Sequence, residues 1–114
     1  MLFVVTPSVN RTAVDVNLKA VINNTRVFNC PVTGIPAPRV VWMKDGRLLD
    51  PRHSSNIELR DAGRQLVIHS VSLADSATYR CLATNSAGQD FIDFFLEVHG
   101  TTCSSSPVAI LVSR

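Results

Sequence analysis

Asp75-Ser76-Ala77-Thr78-Tyr79-Arg80-Cys81 is the stretch that decides the fold of this chain. From Tyr79 onward the large or apolar residues Tyr79, Cys81 and Ala83 recur at every second position. That is the period of a β-strand, whose successive side chains point to opposite faces. The same period holds in Val14-x-Val16-x-Leu18, in Val40-x-Trp42, in Leu66-x-Ile68 and in Phe94-x-Leu96-x-Val98. No window keeps a helical i, i+3, i+4, i+7 pattern over three turns. Short strand segments about ten residues apart predict an all-β sandwich or barrel.

Turn residues fall between the segments. Asp45-Gly46 separates two apolar runs, and glycine supplies the positive φ that a tight hairpin requires. Asp61-Ala62-Gly63 divides the Ile57/Leu59 strand from the Leu66/Ile68 strand, and Asn85-Ser86-Ala87-Gly88 divides the Cys81 strand from the last one. Gly34-Ile35-Pro36-Ala37-Pro38 reads differently. Two prolines predict an extended, non-pairing connection that crosses from one sheet to the other.

Composition bounds the function. The 114 residues suit a single domain, and an apolar content of 46% is ample for a core. Net charge is only +2, and Lys19, Lys44 and the arginines form no basic stripe of the kind that neutralises several phosphates, which argues against nucleic acid. The longest apolar runs are about five residues, against the ~20 that a spanning helix needs, so direct membrane insertion is not expected. Met1–Val5 resembles the start of a signal segment but lacks a charged flank and a cleavage site, so an extracellular domain here reads as part of a longer chain. His53, His69 and His99 share no ligand spacing with one another or with the cysteines, and His69 follows an inward Ile68, so it should face solvent. No nucleophile elbow, phosphate-cradling glycine loop or close carboxylate pair is present, so neither an enzyme nor a cofactor is implied.

Cys30, Trp42 and Cys81 occupy inward positions of three separate strands, with Tyr79 two residues before the second cysteine. Together with Gly34-x-Pro36-x-Pro38, Trp42-x-Lys44-Asp45-Gly46, Leu66-x-Ile68-x-x-Val71 and Ala83-x-Asn85-x-Ala87-Gly88, this order resembles an immunoglobulin domain of the I-set, over about Pro7 to Val98. The resemblance implies an immunoglobulin-like Greek-key sandwich with a Cys30–Cys81 disulfide packed on Trp42. It also implies a tyrosine corner at Tyr79 and a core that includes Leu66. A loop of about 50 residues closed by that bond is worth ~4 kcal/mol in the chain-entropy model. Asp75 is expected to cap the turn before the Tyr79 strand. Arg60-Asp61-Ala62-Gly63-Arg64-Gln65-Leu66 and Phe94-x-Leu96-x-Val98-His99 are most similar to repeats of hemicentin-type matrix proteins. Titin-like, peroxidasin-like and axon-guidance-receptor domains share most of the same residues.

Two departures from the family pattern stand out. Arg26 occupies the position four before Cys30 where an apolar residue is usual, which calls for a β-bulge near Arg26 or a mispaired start to that strand. Residues 100–114, with Cys103, a serine run and Pro107-Val108-Ala109-Ile110-Leu111-Val112, match nothing in the family. The domain is therefore set at 1–99 and the tail, 100–114, is left unassigned. Cys103 reads as an unpaired thiol, with an intermolecular bridge as the alternative.

These readings predict a non-catalytic, extracellular module of a matrix or cell-adhesion protein, acting as a rigid spacer and a protein-binding surface. Its partners would be other proteins or neighbouring immunoglobulin domains. The alternatives are an intracellular, titin-like load-bearing module and an accessory domain of a larger secreted enzyme. Asn10-Arg11-Thr12 and Asn23-Asn24-Thr25 are glycosylation sequons, usable only on a secretory route. The strand phase that turns Trp42, Cys81 and Leu96 inward turns Val41, Met43, Leu82 and Phe95 outward. With Arg80 and Phe91 at its rim, that patch is the candidate binding face.

Overall fold

The alternation is realised as ten strands in the computed structural model, which describes residues 3–53 and 56–100. They are β1 (Val5–Val9), β2 (Asn17–Val21), β3 (Arg26–Asn29), β4 (Val32–Ile35), β5 (Arg39–Lys44), β6 (Arg47–Leu48), β7 (Ile57–Arg60), β8 (Gln65–Ile68), β9 (Ala77–Asn85) and β10 (Gly88–His99). Short 3-10 turns lie at Pro51–His53 and Leu73–Asp75. One sheet has the order β2-β10-β9-β5-β6, with β2 parallel to β10 and the other neighbours antiparallel. The other layer is β3-β8-β7, extended by the β1-β4 pair because β4 continues the chain of β3 after a break at Cys30-Pro31. Burying the apolar face of each sheet against the other gives the sandwich.

Phe28 is the centre of the core. Its ring meets Trp42, Tyr79 and Phe94 edge-on, at centroid distances of 6.3, 5.1 and 5.6 Å. Edge-to-face contacts set the positive ring edge against the negative ring face, and each contributes about 0.5–1.5 kcal/mol beyond burial. Trp42, Tyr79 and Phe94 come from β5, β9 and β10, so a single side chain of the opposite sheet touches three adjacent strands. Leu66, Ile68 and Val71 are wholly buried around this cluster. The buried Trp42 indole N–H needs an acceptor and donates to the Gly63 carbonyl at 2.7 Å. That carbonyl is presented by three successive residues in the left-handed region, Asp61, Ala62 and Gly63, at φ 54°, 55° and 87°.

The structure corrects two expectations. There is no bulge at Arg26, and the start of its strand is not mispaired: β3 pairs with β8 in unbroken register, Arg26 opposite Ile68 and Phe28 opposite Leu66. Arg26 shares the inward phase of Phe28 and Cys30 but stands at the first residue of the strand, where it is only half-buried. Its Nε is buried and has no hydrogen-bond partner among the described residues, so the long side chain is accommodated at the strand's start without its head being fully delivered to solvent. The second correction concerns Gly34 and Ile35, which do not belong to a non-pairing connection. Both are part of β4, and Ile35 pairs with Val5 of β1. A Cβ on Gly34 would stand 3.0 Å from Pro38 Cγ and 3.2 Å from both Asn85 Nδ2 and Pro7 Cα, so this close approach of backbones requires glycine.

The Asp45-Gly46 hairpin has the expected geometry, with φ of 50° and 84° at the two turn residues. Its Asp45 also bonds across to β9: the Thr78 N–H donates to Asp45 Oδ1 and the Asp45 N–H to the Thr78 carbonyl. Cys103 and Val108–Val112 lie outside the described residues.

Phe28→Ala and Trp42→Ala should each destabilise the domain by ~3–5 kcal/mol, as large aromatic truncations do. Val27→Ala, one residue away on the exposed phase, should cost within about 0.5 kcal/mol. Equal losses for Phe28 and Val27 in urea melts would contradict the phase assigned to β3.

Candidate functional site

The register of β5, β9 and β10 assembles the outer face of the larger sheet row by row. Val41 stands beside Leu82 and Leu82 beside Phe91; in the next row Met43 stands beside Arg80 and Arg80 beside Asp93. Phe95 follows opposite Thr78, and Leu48 of β6 opposite Met43. Phe91 and Phe95 are 41% and 48% exposed and Leu48 is 68% exposed, while Val41, Met43 and Leu82 are half-buried by their neighbours on the same face. The six residues singled out from sequence thus share one continuous surface.

Arg80 sits at its centre. It forks onto Asp93, with Nε to Oδ1 at 2.8 Å and Nη2 to Oδ2 at 3.2 Å, and its guanidinium lies 4.1 Å from the centroid of the Phe91 ring. A planar fork matched to a carboxylate while stacked on an aromatic ring is a geometry lysine cannot reproduce. Met43, Asp45, Gly46, Thr78, Arg80 and Asp93 line an open depression of about 570 Å³ beside it.

Behind the face lies a rigid support. Cys81 of β9, beside Trp42 in the register, is bonded to Cys30 of the opposite layer, with a Cα–Cα distance of 6.3 Å. The Tyr79 hydroxyl donates to the Asp75 carbonyl at 2.6 Å. Burial, and then the nearby carboxylates of Asp75 and Asp45, push the Tyr79 phenol above its usual range, so it remains a neutral donor. Asp75 in turn accepts from the Ser72 N–H at 2.8 Å, and its Oδ1 lies 4.0 Å from Lys44 Nζ, whose stronger contact is the Ala74 carbonyl at 3.0 Å.

Two polar hubs carry more structure than their sequence context suggested. The Asn85 side-chain amide donates to the carbonyls of Val5 and Pro36, while its oxygen accepts from the N–H groups of Ala87 and Gly88. It thereby joins β1, the proline connection and the β9–β10 turn; the sequence marked it only as a turn residue. Asp90 accepts from the Val9 and Phe91 N–H groups and from Arg11, fastening the first strand to the last. The Arg11 hydrogen bond foremost, with those backbone donors, lowers the Asp90 carboxyl to about 2. No local spacing could have paired residues 81 positions apart.

His69 is partly exposed, and its Nε2 lies 2.9 Å from Glu58 Oε1. Hydrogen bonds from Arg60 first and His69 second lower the Glu58 carboxyl to about 2. His99 lies 3.5 Å from Glu97, on the same strand. Among the described residues no group of three or more His, Cys, Asp or Glu could hold a metal ion, and no helix is long and apolar enough to cross a membrane. Asn10 and Asn23 are exposed, on connections outside the strands of the candidate face. The Asn10 Oδ1 accepts from the Thr12 hydroxyl at 2.8 Å, and Asn23 turns the chain at φ 76°.

A disulfide-bridged two-layer sandwich with a tyrosine corner and a parallel β2-β10 edge defines an immunoglobulin-like module. The immunoglobulin I-set domain model matches residues 7–98, and the chain belongs to that family. Human hemicentin-1 is 41% identical over 78 residues, which is 68% of this chain and 1% of hemicentin-1. Rat palladin is 34% identical over 84 residues, 73% of this chain and 14% of palladin. The chain therefore spans a small part of either relative. Among solved structures the titin M3 domain superposes with a TM-score of 0.72 at 31% identity, covering 82% of this chain and 97% of that one. The protein is thus an immunoglobulin-like module related to those of hemicentin and palladin, with the same sandwich as the titin domain.

Asp90→Asn should lower stability by about 1 kcal/mol at neutral pH, because the pair is partly solvent-screened. A carboxyl whose folded pKa is depressed stabilises above its unfolded value, ~3.9, and loses that contribution as pH falls toward 2. The melting-temperature gap between wild type and variant should therefore be full at pH 5 and closed near pH 2. A gap independent of pH would show that the Asp90 charge is not what fastens β1 to β10.

Proposed function

We propose that this domain is a non-catalytic extracellular module of a matrix or cell-adhesion protein, serving as a rigid spacer and binding proteins through the outer face of β10, β9 and β5. The observation that carries this reading is the contiguous apolar surface of three adjacent strands around the Arg80–Asp93 pair. Monomeric proteins seldom expose such clusters without use, and aromatic, methionine and arginine side chains are the types enriched at interfaces. The Cys30–Cys81 bond supports an oxidising compartment, where disulfides persist, and so does the likeness to hemicentin-1. On that route Asn10 and Asn23 become acceptors for N-linked glycans, both clear of the binding face.

A second reading, an intracellular load-bearing module with reduced cysteines, draws on the likeness to the titin M3 domain. Peptide mapping of natively produced protein, alkylated before lysis, separates the two. The extracellular reading expects Cys30 joined to Cys81 and a glycan on at least one sequon; free thiols at both cysteines and no glycan would overturn it. Met43→Glu combined with Phe95→Glu should abolish protein binding while leaving the melting temperature nearly unchanged. Undiminished binding by that folded variant would move the interface elsewhere.

A further inference from the structure

The larger sheet ends at β2, whose outer side pairs with no strand among the described residues. The Phe95 N–H donates to the Val16 carbonyl, and the Ile22 N–H donates to the His99 carbonyl. In a parallel ladder of that register the even-numbered residues of β2 bond to β10, so the backbone groups of Asn17, Lys19 and Val21 point away from the sheet. The Asn17 N–H is taken by Asp15 Oδ1, and the Val21 carbonyl accepts from the Asn24 N–H. The Asn17 carbonyl, the Lys19 N–H and carbonyl, and the Val21 N–H stay open among the described residues, on three exposed positions. One added antiparallel strand would use all of them. A single residue of it exchanges both bonds with Lys19, and the residues two away on either side reach the Asn17 carbonyl and the Val21 N–H. The residues next to that central one would point inward beside Leu18 and Ala20. There, between β2 and β3, lies a depression of about 230 Å³. Val14, Leu18, Val27 and the core rings Phe28 and Phe94 are among its walls, with the polar Asp15 and Asn29. Val14, Val16 and Leu18 are only half-buried, so apolar side chains added here would complete their cover.

Lys19 decides the occupant. Antiparallel pairing with β2 of a second copy would set Lys19 directly opposite its own counterpart, and like charges so placed are destabilising. A lysine in mid-strand is one way in which sheet edges keep identical chains apart. The same cation is matched by a carboxylate on a different incoming strand. Glu97, beside Lys19 on β10, stands one strand further in and lies 3.5 Å from His99, so it is about twice as far from the newcomer as Lys19 is. We propose that the open edge of β2 is a second binding site, which takes up an extended segment of another protein by antiparallel strand addition. The segment carries Asp or Glu opposite Lys19 and an apolar residue on each side of that acid. Main-chain hydrogen bonds supply the affinity, and the carboxylate and the inward apolar pair supply the specificity. β10 and β9 separate this edge from β5, so the site does not depend on the outer face being a contact surface.

Titration of the full chain with a capped heptapeptide, a central glutamate between two valines with threonine elsewhere, tests the inference by amide NMR. The Lys19 and Val21 amide resonances should shift and their hydrogen exchange should slow. The dissociation constant should be on the order of 1 mM, as for four backbone hydrogen bonds at their usual net strength in water. A peptide with lysine at the centre should bind about tenfold more weakly. Lys19→Glu should reverse that preference, and a melting temperature within a few degrees of wild type shows that the variant is folded. N-methylation of the central glutamate removes the N–H that meets the Lys19 carbonyl and should abolish binding. N-methylation of the next residue, whose N–H points away from β2, should leave binding nearly unchanged. Met43→Glu, on β5, should also leave it unchanged. Lys19 and Val21 amides that stay unmoved at about 5 mM peptide overturn the inference. So does binding that ignores the N-methyl position, or a preference for glutamate that survives Lys19→Glu. Loss of peptide binding in Met43→Glu would place the peptide on the outer face and overturns the edge site, while leaving the contact-face reading standing. Shifts of the same amides with protein concentration alone would make a second copy the occupant, which overturns it as well.

Discussion

The contact between the two sheets at Phe28, Trp42 and the Cys30–Cys81 bond is the constraint on which the rest of the molecule depends. Each sheet alone would leave an apolar face in water, and three or more strands become stable only when such a face is covered. Phe28 supplies the cover for three strands of the larger sheet at once, and the disulfide ties the strand that carries it to β9. The consequences run outward. With Trp42 and Cys81 fixed inward, the two-residue period turns Val41, Met43, Arg80 and Leu82 outward in register. A one-residue slip would bury the arginine and expose the tryptophan. That outward face is therefore the obligatory reverse side of the core.

Rigidity reaches the edges through polar groups. Tyr79 fixes the turn before β9, Asn85 fixes the turn after it, and Asp90 fastens β1 to β10. Each satisfies buried or half-buried backbone groups that would otherwise cost about 1–3 kcal/mol apiece. This network holds the ends of β9 and β10 still, so the face between them needs little ordering on binding. Preorganisation of that kind matters for a small interface, in which the loss of side-chain and loop freedom offsets much of the gain from contact.

The sandwich was legible because a two-residue period survives in nearly every strand, and because cysteine, tryptophan and tyrosine are rare enough to be informative at fixed positions. Turn chemistry at Asp45-Gly46 was legible for the same local reason. What the sequence concealed is non-local. Arg26 breaks the local apolar pattern, yet Phe28, two residues on and in the same phase, is the aromatic centre. Its importance comes from partners on three other strands. The pairing of Gly34 and Ile35 was hidden by the prolines after them, which end the ladder without preventing it from starting. Asn85 and Asp90 looked like ordinary turn and strand residues because their partners lie up to 81 positions away.

A covalent tie across an already packed core sets the stability of the face, and equilibrium urea unfolding of the oxidised and reduced chain measures this directly. The two cysteines are 51 positions apart, so reduction should leave a folded, cooperative domain that is ~4 kcal/mol less stable, with the Trp42 fluorescence of its native state retained. A reduced chain as stable as the oxidised one would contradict the account.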